Sequence, residues 1–154
     1  MSWIISHAIS AVKSETPHSR RDATDMAGYS ASESTAVVRV LVVDDQRLFR
    51  RAAAALVRSV DEFKLVGEAE TGEQAVELAA LLRPELVLMD VRLPGIDGAE
   101  ATRRILEELP DTRIVLVSTY EAHDLPAAIS GCGARALIRK QDLDADALQR
   151  WAQT

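Results

Sequence analysis

Five polar residues stand where apolar runs stop. Asp44-Asp45 follows Val40-Leu41-Val42-Val43, Asp90 follows Leu86-Val87-Leu88-Met89, Ser118 closes Ile114-Val115-Leu116-Val117, and Lys140 follows the stretch 134–139. If these runs are neighbouring strands of one parallel sheet, all five residues meet at its carboxyl edge, where ligands bind in open α/β sheets. Three carboxylates that close repel one another and raise their own pKa values unless a cation neutralises them. Oxygen donors with no His or Cys beside them favour Mg²⁺, which takes one or two carboxylates directly and keeps several waters. Phosphoryl transfer needs chiefly alignment and charge neutralisation. A carboxylate nucleophile, a divalent ion, an ammonium and a hydroxyl are a sufficient set for it.

Singly, each residue has an ordinary reading. An Asp-Asp pair after a strand is usually a helix cap or a turn, Lys140 a solvated charge, and Ser118 a strand-end hydroxyl. Only their joint pattern points to a site. Gly131-Cys132-Gly133-Ala134-Arg135-Ala136 fits a dinucleotide fingerprint formally, but it precedes a strand and reads as a helix stop. His7, His18 and His123 are scattered, so no His-based metal cluster is expected, and Cys132 has no His close in sequence to activate it.

The elements that must position these groups are legible from periodicity. Residues 1–36 are rich in Ser, Thr and Ala with scattered charges and no sustained period, and are expected to form a flexible extension. Val37 to Val43 is a β-branched run expected as a buried parallel strand. Leu48, Ala52, Leu56 and Val60 recur at helical spacing, with Arg47, Arg50, Arg51 and Arg58 assigned to the wet side. Phe63 to Ala69 is a weaker second strand. Thr71-Gly72-Glu73-Gln74 resembles a capping box opening a second helix, which carries Val76, Leu78, Leu81 and Leu82 and is closed by Pro84.

Glu85 to Asp90 is the third strand, and a helix from about Ala99 to Leu109 stops at Pro110-Asp111. Arg113 to Ser118 is the fourth strand. A fourth helix is placed from near Asp124 to Ser130, with Pro126 in its first turn. Residues 134–139 are the fifth strand. Asp142 or Asp144 caps a last helix bearing Leu143, Ala147, Leu148 and Trp151, whose tryptophan is assigned to the core. Five strand-helix units imply an α/β fold, a parallel sheet with helices on both faces.

With 154 residues, 47% of them hydrophobic, the chain suits one compact core. A formal charge of -6 argues against sequence-independent binding of nucleic acid, which needs excess Lys and Arg to displace counterions. One cysteine allows no internal disulfide. The apolar run Trp3 to Ile9 lacks the flanks of a signal peptide, and no stretch has the roughly 20 consecutive apolar residues of a membrane span. A cytoplasmic protein with no membrane partner is expected.

The segments Val42-Val43-Asp44-Asp45, Leu88-Met89-Asp90-Val91-Arg92-Leu93-Pro94-Gly95-Ile96-Asp97-Gly98, Val117-Ser118-Thr119 and Ile138-Arg139-Lys140 resemble the response-regulator receiver family of two-component signalling in order and spacing. The resemblance covers about Arg39 to Thr154. It implies a flavodoxin-like, doubly wound five-stranded parallel sheet in the order 2-1-3-4-5, with the receiver domain at 37–154. It implies that Asp90 takes a phosphoryl group from a partner histidine kinase or phosphotransfer protein. Asp45 becomes a direct Mg²⁺ ligand, Asp44 acts partly through water, and the backbone carbonyl of Arg92 completes the protein's share of the metal shell. Lys140 pairs with one phosphoryl oxygen, and Ser118 moves to hydrogen-bond another. The new bond selects one of two arrangements of the fourth helix, fifth strand and last helix. Moving such a population from mostly off to mostly on takes roughly 5 kcal/mol of differential binding.

Two departures from the family pattern stand out. Leu137 sits where many receivers have Tyr or Phe, so a rotating aromatic cannot be the relay. No helix-turn-helix segment follows the last helix, and the expectation is a stand-alone receiver with no output domain, no direct DNA binding and output through an unknown downstream protein. Arg92 and Tyr120, at family positions beside the phosphoryl group, would govern how readily water reaches the acyl phosphate, with Tyr120 slowing its loss. The chain is expected to be no enzyme beyond its own phosphorylation and autodephosphorylation. An aspartyl-phosphate hydrolase is the alternative; such enzymes commonly carry an acid two residues after the nucleophile, where this chain has Arg92. A pseudo-receiver that only docks partners is a third reading, opposed by the intact set Asp45, Asp90, Ser118 and Lys140.

Overall fold

A computed structural model describes residues 36–153. The expected extension, with His7, His18 and the Trp3 to Ile9 run, lies outside these residues apart from Ala36. In chain order the elements are β1 (Val38–Val43), α1 (Arg47–Arg58), β2 (Phe63–Ala69), α2 (Gly72–Leu82), β3 (Leu86–Asp90), α3 (Gly98–Glu108), β4 (Arg113–Ser118), β5 (Ala136–Arg139) and α4 (Ala145–Ala152). The strands form one parallel sheet ordered β2-β1-β3-β4-β5. This is the flavodoxin-like topology implied above.

Alternation along the strands divides the core in two, because successive side chains of a strand point to opposite faces. Leu41, Val43, Val87, Met89, Ile114 and Leu116 pack with Ala75 and Ala79 of α2 and Ala101 and Ile105 of α3. Val40, Val42, Leu86, Leu88, Val115 and Val117 pack on the other face with Ala53 and Val57 of α1 and Leu148 of α4. Trp151 packs against this second cluster and is half-buried. Side chains close three helix starts: Thr71 accepts from the Gln74 N–H, Asp97 from the Glu100 N–H and Asp144 from the Ala147 N–H. The reciprocal bond of the Thr71 cap is displaced by one residue, since Gln74 Oε1 accepts from the Glu70 N–H. Asp144, rather than Asp142, opens the last helix, so Leu143 precedes it.

Two expectations are corrected. The buried face of α1 is Arg50, Ala53, Ala54 and Val57, while Leu48 is 84% exposed and Ala52 is exposed as well. A strict four-residue repeat overshoots a helical turn by about 40° per step, so Leu48 and Leu56 already lie about 80° apart around the helix, and Val60 falls beyond its end. The sheet takes the residues at spacing 0, 3, 4 and 7 instead. The second correction concerns the fourth helix: between β4 and β5 the chain makes only two short 3₁₀ turns, Ala122–Asp124 and Ala127–Ile129. Pro126 disfavours helical geometry in the residue before it. Leu125 (ψ 148°) and Pro126 (ψ 145°) are both extended and split the segment. Leu125 and Ile129 still tuck against the first cluster. A cavity of about 350 Å³ remains beneath them, bounded by Leu116 and Leu137.

Candidate phosphoacceptor site

The carboxyl ends of β1, β3 and β4 and the residue after β5 converge. Carboxylate oxygens of Asp44, Asp45 and Asp90 lie within 4.8 Å of one another. Lys140 Nζ is 2.6 Å from Asp44 Oδ2 and 3.4 Å from Asp90 Oδ2. Asp45, Asp90, Arg92, Ser118, Tyr120 and Lys140 line a cavity of about 260 Å³, together with Gln46 and Thr119. Asp44, Asp45, Asp90, Arg92, Ser118, Tyr120 and Lys140, the site residues expected from the sequence, are therefore at one place.

Their environments differ. Asp44 is fully buried and Asp90 is 6% exposed, whereas Asp45 is exposed. Asp44 Oδ1 accepts from the Gln46 N–H at 2.7 Å, which forms a tight turn after β1. Asp44 Oδ2 has the Lys140 charge beside it but no aligned hydrogen bond. Asp90 Oδ1 accepts from the Arg92 N–H at 3.3 Å. Burial pushes the Asp90 carboxyl up to about 6, and the Asp44 charge pushes the same way; the Lys140 ammonium and the Arg92 amide pull it back. Repulsion between carboxylates, the cause expected from sequence, is thus second to burial. Ser118 is buried, and its hydroxyl oxygen accepts from the Tyr120 N–H at 3.0 Å. The Arg92 guanidinium stacks 4.3 Å from the centre of the Tyr120 ring, beside the pocket mouth.

Sequence reasoning missed the cradle around Lys140. Its ammonium lies 4.5 Å from the Phe49 ring centre and donates to Gln46 Oε1 at 3.2 Å. Both partners come from the start of α1, and the only signal for them was their place within one turn of Asp45.

The loop after β3 is fixed by close backbone approach. A Cβ at Gly98 would collide with the carbonyl of Asp90, and the Gly98 N–H donates to Val91 O at 2.9 Å. Gly95 has φ +77°, the left-handed region that glycine tolerates, and Glu73 caps the neighbouring Ile96 N–H at 2.9 Å.

The donor set suits a hard divalent cation. All three groups are oxygen donors, Asp44 Oδ2 lacks a hydrogen bond, and the Asp45 carboxylate accepts none from the described residues.

A family model described as the response regulator receiver domain matches residues 40–151. The chain belongs to the response regulator receiver family. It is 39% identical over 104 residues to the response regulator GacA of Pseudomonas viridiflava, an alignment covering 68% of this chain and 49% of that protein. It is 43% identical over 117 residues to protein-glutamate methylesterase/protein-glutamine glutaminase 4 of Myxococcus xanthus, covering 71% and 33%. Among solved structures, the NarL signal receiver domain of Mycobacterium tuberculosis superposes with a TM-score of 0.70 at 30% identity, covering 76% of this chain and 97% of that one. This receiver chain spans about half the length of the GacA proteins it matches, so they give no support to the expectation of a receiver without an output domain. No helix of the described residues is long and apolar enough to cross a membrane.

Proposed function

We propose that this receiver is a phosphorylation switch whose acceptor is the Asp90 carboxylate and whose donor is a phosphohistidine on a partner kinase or phosphotransfer protein. The observation that carries the reading is the convergence of three carboxylates, one ammonium and one hydroxyl at a single sheet edge. An Asp90 oxygen attacks phosphorus, the phosphorus–nitrogen bond to the donor imidazole breaks, and its electron pair leaves on the imidazole nitrogen. Asp44, Asp45, Asp90 and the carbonyl of Arg92 would hold Mg²⁺, which neutralises the charge gathering between carboxylate and phosphoryl group.

Lys140 already faces Asp90 and pairs with a phosphoryl oxygen once the acyl phosphate forms. Ser118, whose oxygen accepts from its own turn, keeps its proton free to donate to a second oxygen. The stacked Arg92 and Tyr120 side chains limit the approach of water and prolong the phosphorylated state. Output runs through contacts of the receiver surface with a downstream protein.

The test is incubation with acetyl phosphate and Mg²⁺, following incorporation by intact mass. About one phosphoryl group per chain is expected, lost in Asp90→Asn and on chelation of the metal. Undiminished labelling of Asp90→Asn overturns the assignment, and many phosphates released per chain per minute would favour the hydrolase.

A further inference from the structure

We propose that Arg50 is a positioning residue for the metal-binding edge, fixing the peptide that aims the Asp45 carboxylate. Arg50 lies on the sheet-facing side of α1, with its side chain 11% exposed. Its Nη1 donates to the main-chain oxygen of Asp44 at 2.8 Å, its Nη2 donates to Glu70 at 2.8 Å, and its Nε lies 3.6 Å from Glu68. A guanidinium offers N–H groups in a rigid fork, so one side chain can hold a carbonyl and two carboxylates together.

A plain ion pair with Glu68 and Glu70 would be met as well nearer the surface, where it needs no desolvation. What takes the guanidinium inward is the Asp44 carbonyl. The turn after β1 is held at three other points: Asp44 N–H donates to Ala69 O at 3.0 Å, Asp44 Oδ1 accepts from Gln46 N–H, and Gln46 O accepts from Arg50 N–H at 2.9 Å. The Asp44 carbonyl belongs to the peptide leading into Asp45. Because the Asp45 carboxylate has no partner of its own among the described residues, its direction depends on that peptide. Groups that orient metal ligands without touching the metal typically change affinity by 10- to 100-fold when removed.

The inference rests on the Mg²⁺ reading above, and the experiment separates the two. Mg²⁺ is titrated into wild type, Arg50→Met, Arg50→Lys and the exposed control Arg51→Met, well below each melting temperature, while amide exchange at Gln46 is followed in metal-free protein. Arg50→Met is expected to weaken Mg²⁺ binding about tenfold or more and to speed Gln46 exchange. Arg50→Lys, which reaches the carbonyl or a glutamate but not both, is expected to fall between, and Arg51→Met to match wild type. Should Arg50→Met fail to fold, Arg50→Lys carries the same comparison. Wild-type affinity in a folded Arg50 variant, whatever its melting temperature, reduces Arg50 to a structural ion pair and overturns the proposal. If wild type itself binds no Mg²⁺, the metal reading fails, and unchanged Gln46 exchange in the variants would then overturn the positioning role on its own.

Discussion

The side of the pocket that brings the acids is built differently from the side that brings the ammonium. Val40 to Asp44 and Leu86 to Val91 are buried at every position, whereas no residue of β5 is fully buried and the chain before it is two 3₁₀ turns over a cavity. Lys140 reaches the acids from an edge strand that is paired on one side only. Close packing resists displacement, while thinly packed segments open locally at low cost. The receiver therefore joins a stiff acid-bearing half to a compliant half, and compliance lies where Lys140 would have to adjust to a phosphoryl group.

Truncating one leucine on each side sharpens that contrast most. Leu88→Ala, at 2% exposure in the second cluster, is expected to cost about 2 to 5 kcal/mol, and Leu137→Ala, half-buried beside an existing cavity, about 1 kcal/mol. Urea denaturation of both variants measures the difference; equal losses would remove the distinction.

The acid-bearing half also carries a built-in electrostatic cost. Because the folded Asp90 carboxyl is raised from an ordinary 3.8 to about 6, the folded protein binds the extra proton between those limits. Its contribution is fully favourable below about pH 4 and is lost as pH rises through 6, so Asp90→Asn is expected to stabilise metal-free protein at pH 7 by on the order of 1 to 3 kcal/mol. Thermal melts from pH 4 to 8 would show a flatter profile for the variant. A variant that melts at or below wild type at pH 7 breaks the account.

At the compliant side, amides of the segment 122–130 and of β5 are expected to exchange through local opening, while those of β3 wait for global unfolding. Indistinguishable protection would refute the contrast. The smallest effect on folding is expected at Tyr120, which is 46% exposed: Tyr120→Ala should cost about 0.5 to 1 kcal/mol through the lost Arg92 stack yet hasten loss of phosphate. Decay of the phosphorylated form, followed by mass, checks it.

Much of this organisation was legible in the sequence. Unbroken β-branched runs ending in Asp44-Asp45, Asp90 and Ser118 announce both the strands and the edge where the polar groups meet, since burial demands the apolar run and the loop begins where it stops. Arg50 was misassigned because charge in a helix reads as solvent-facing, and only the fold reveals the Asp44 carbonyl on the inner side with Glu68 and Glu70 beside it. The stretch 122–130 misled for another reason. Its alanines and short apolar spacing suit a helix, but the restriction that Pro126 puts on Leu125 outweighs several weak preferences.

Gly98 has a consequence for how this chain can evolve. Every missense change in a glycine codon introduces at least one carbon beyond the backbone, and at this position it would strike the main-chain oxygen of Asp90 eight residues upstream. A saturation library selected for signalling should therefore show position 98 as depleted of all alternatives as Asp90 itself, though glycine brings no reactive group. The genetic constraint on the site extends to a residue whose whole contribution is the room it leaves.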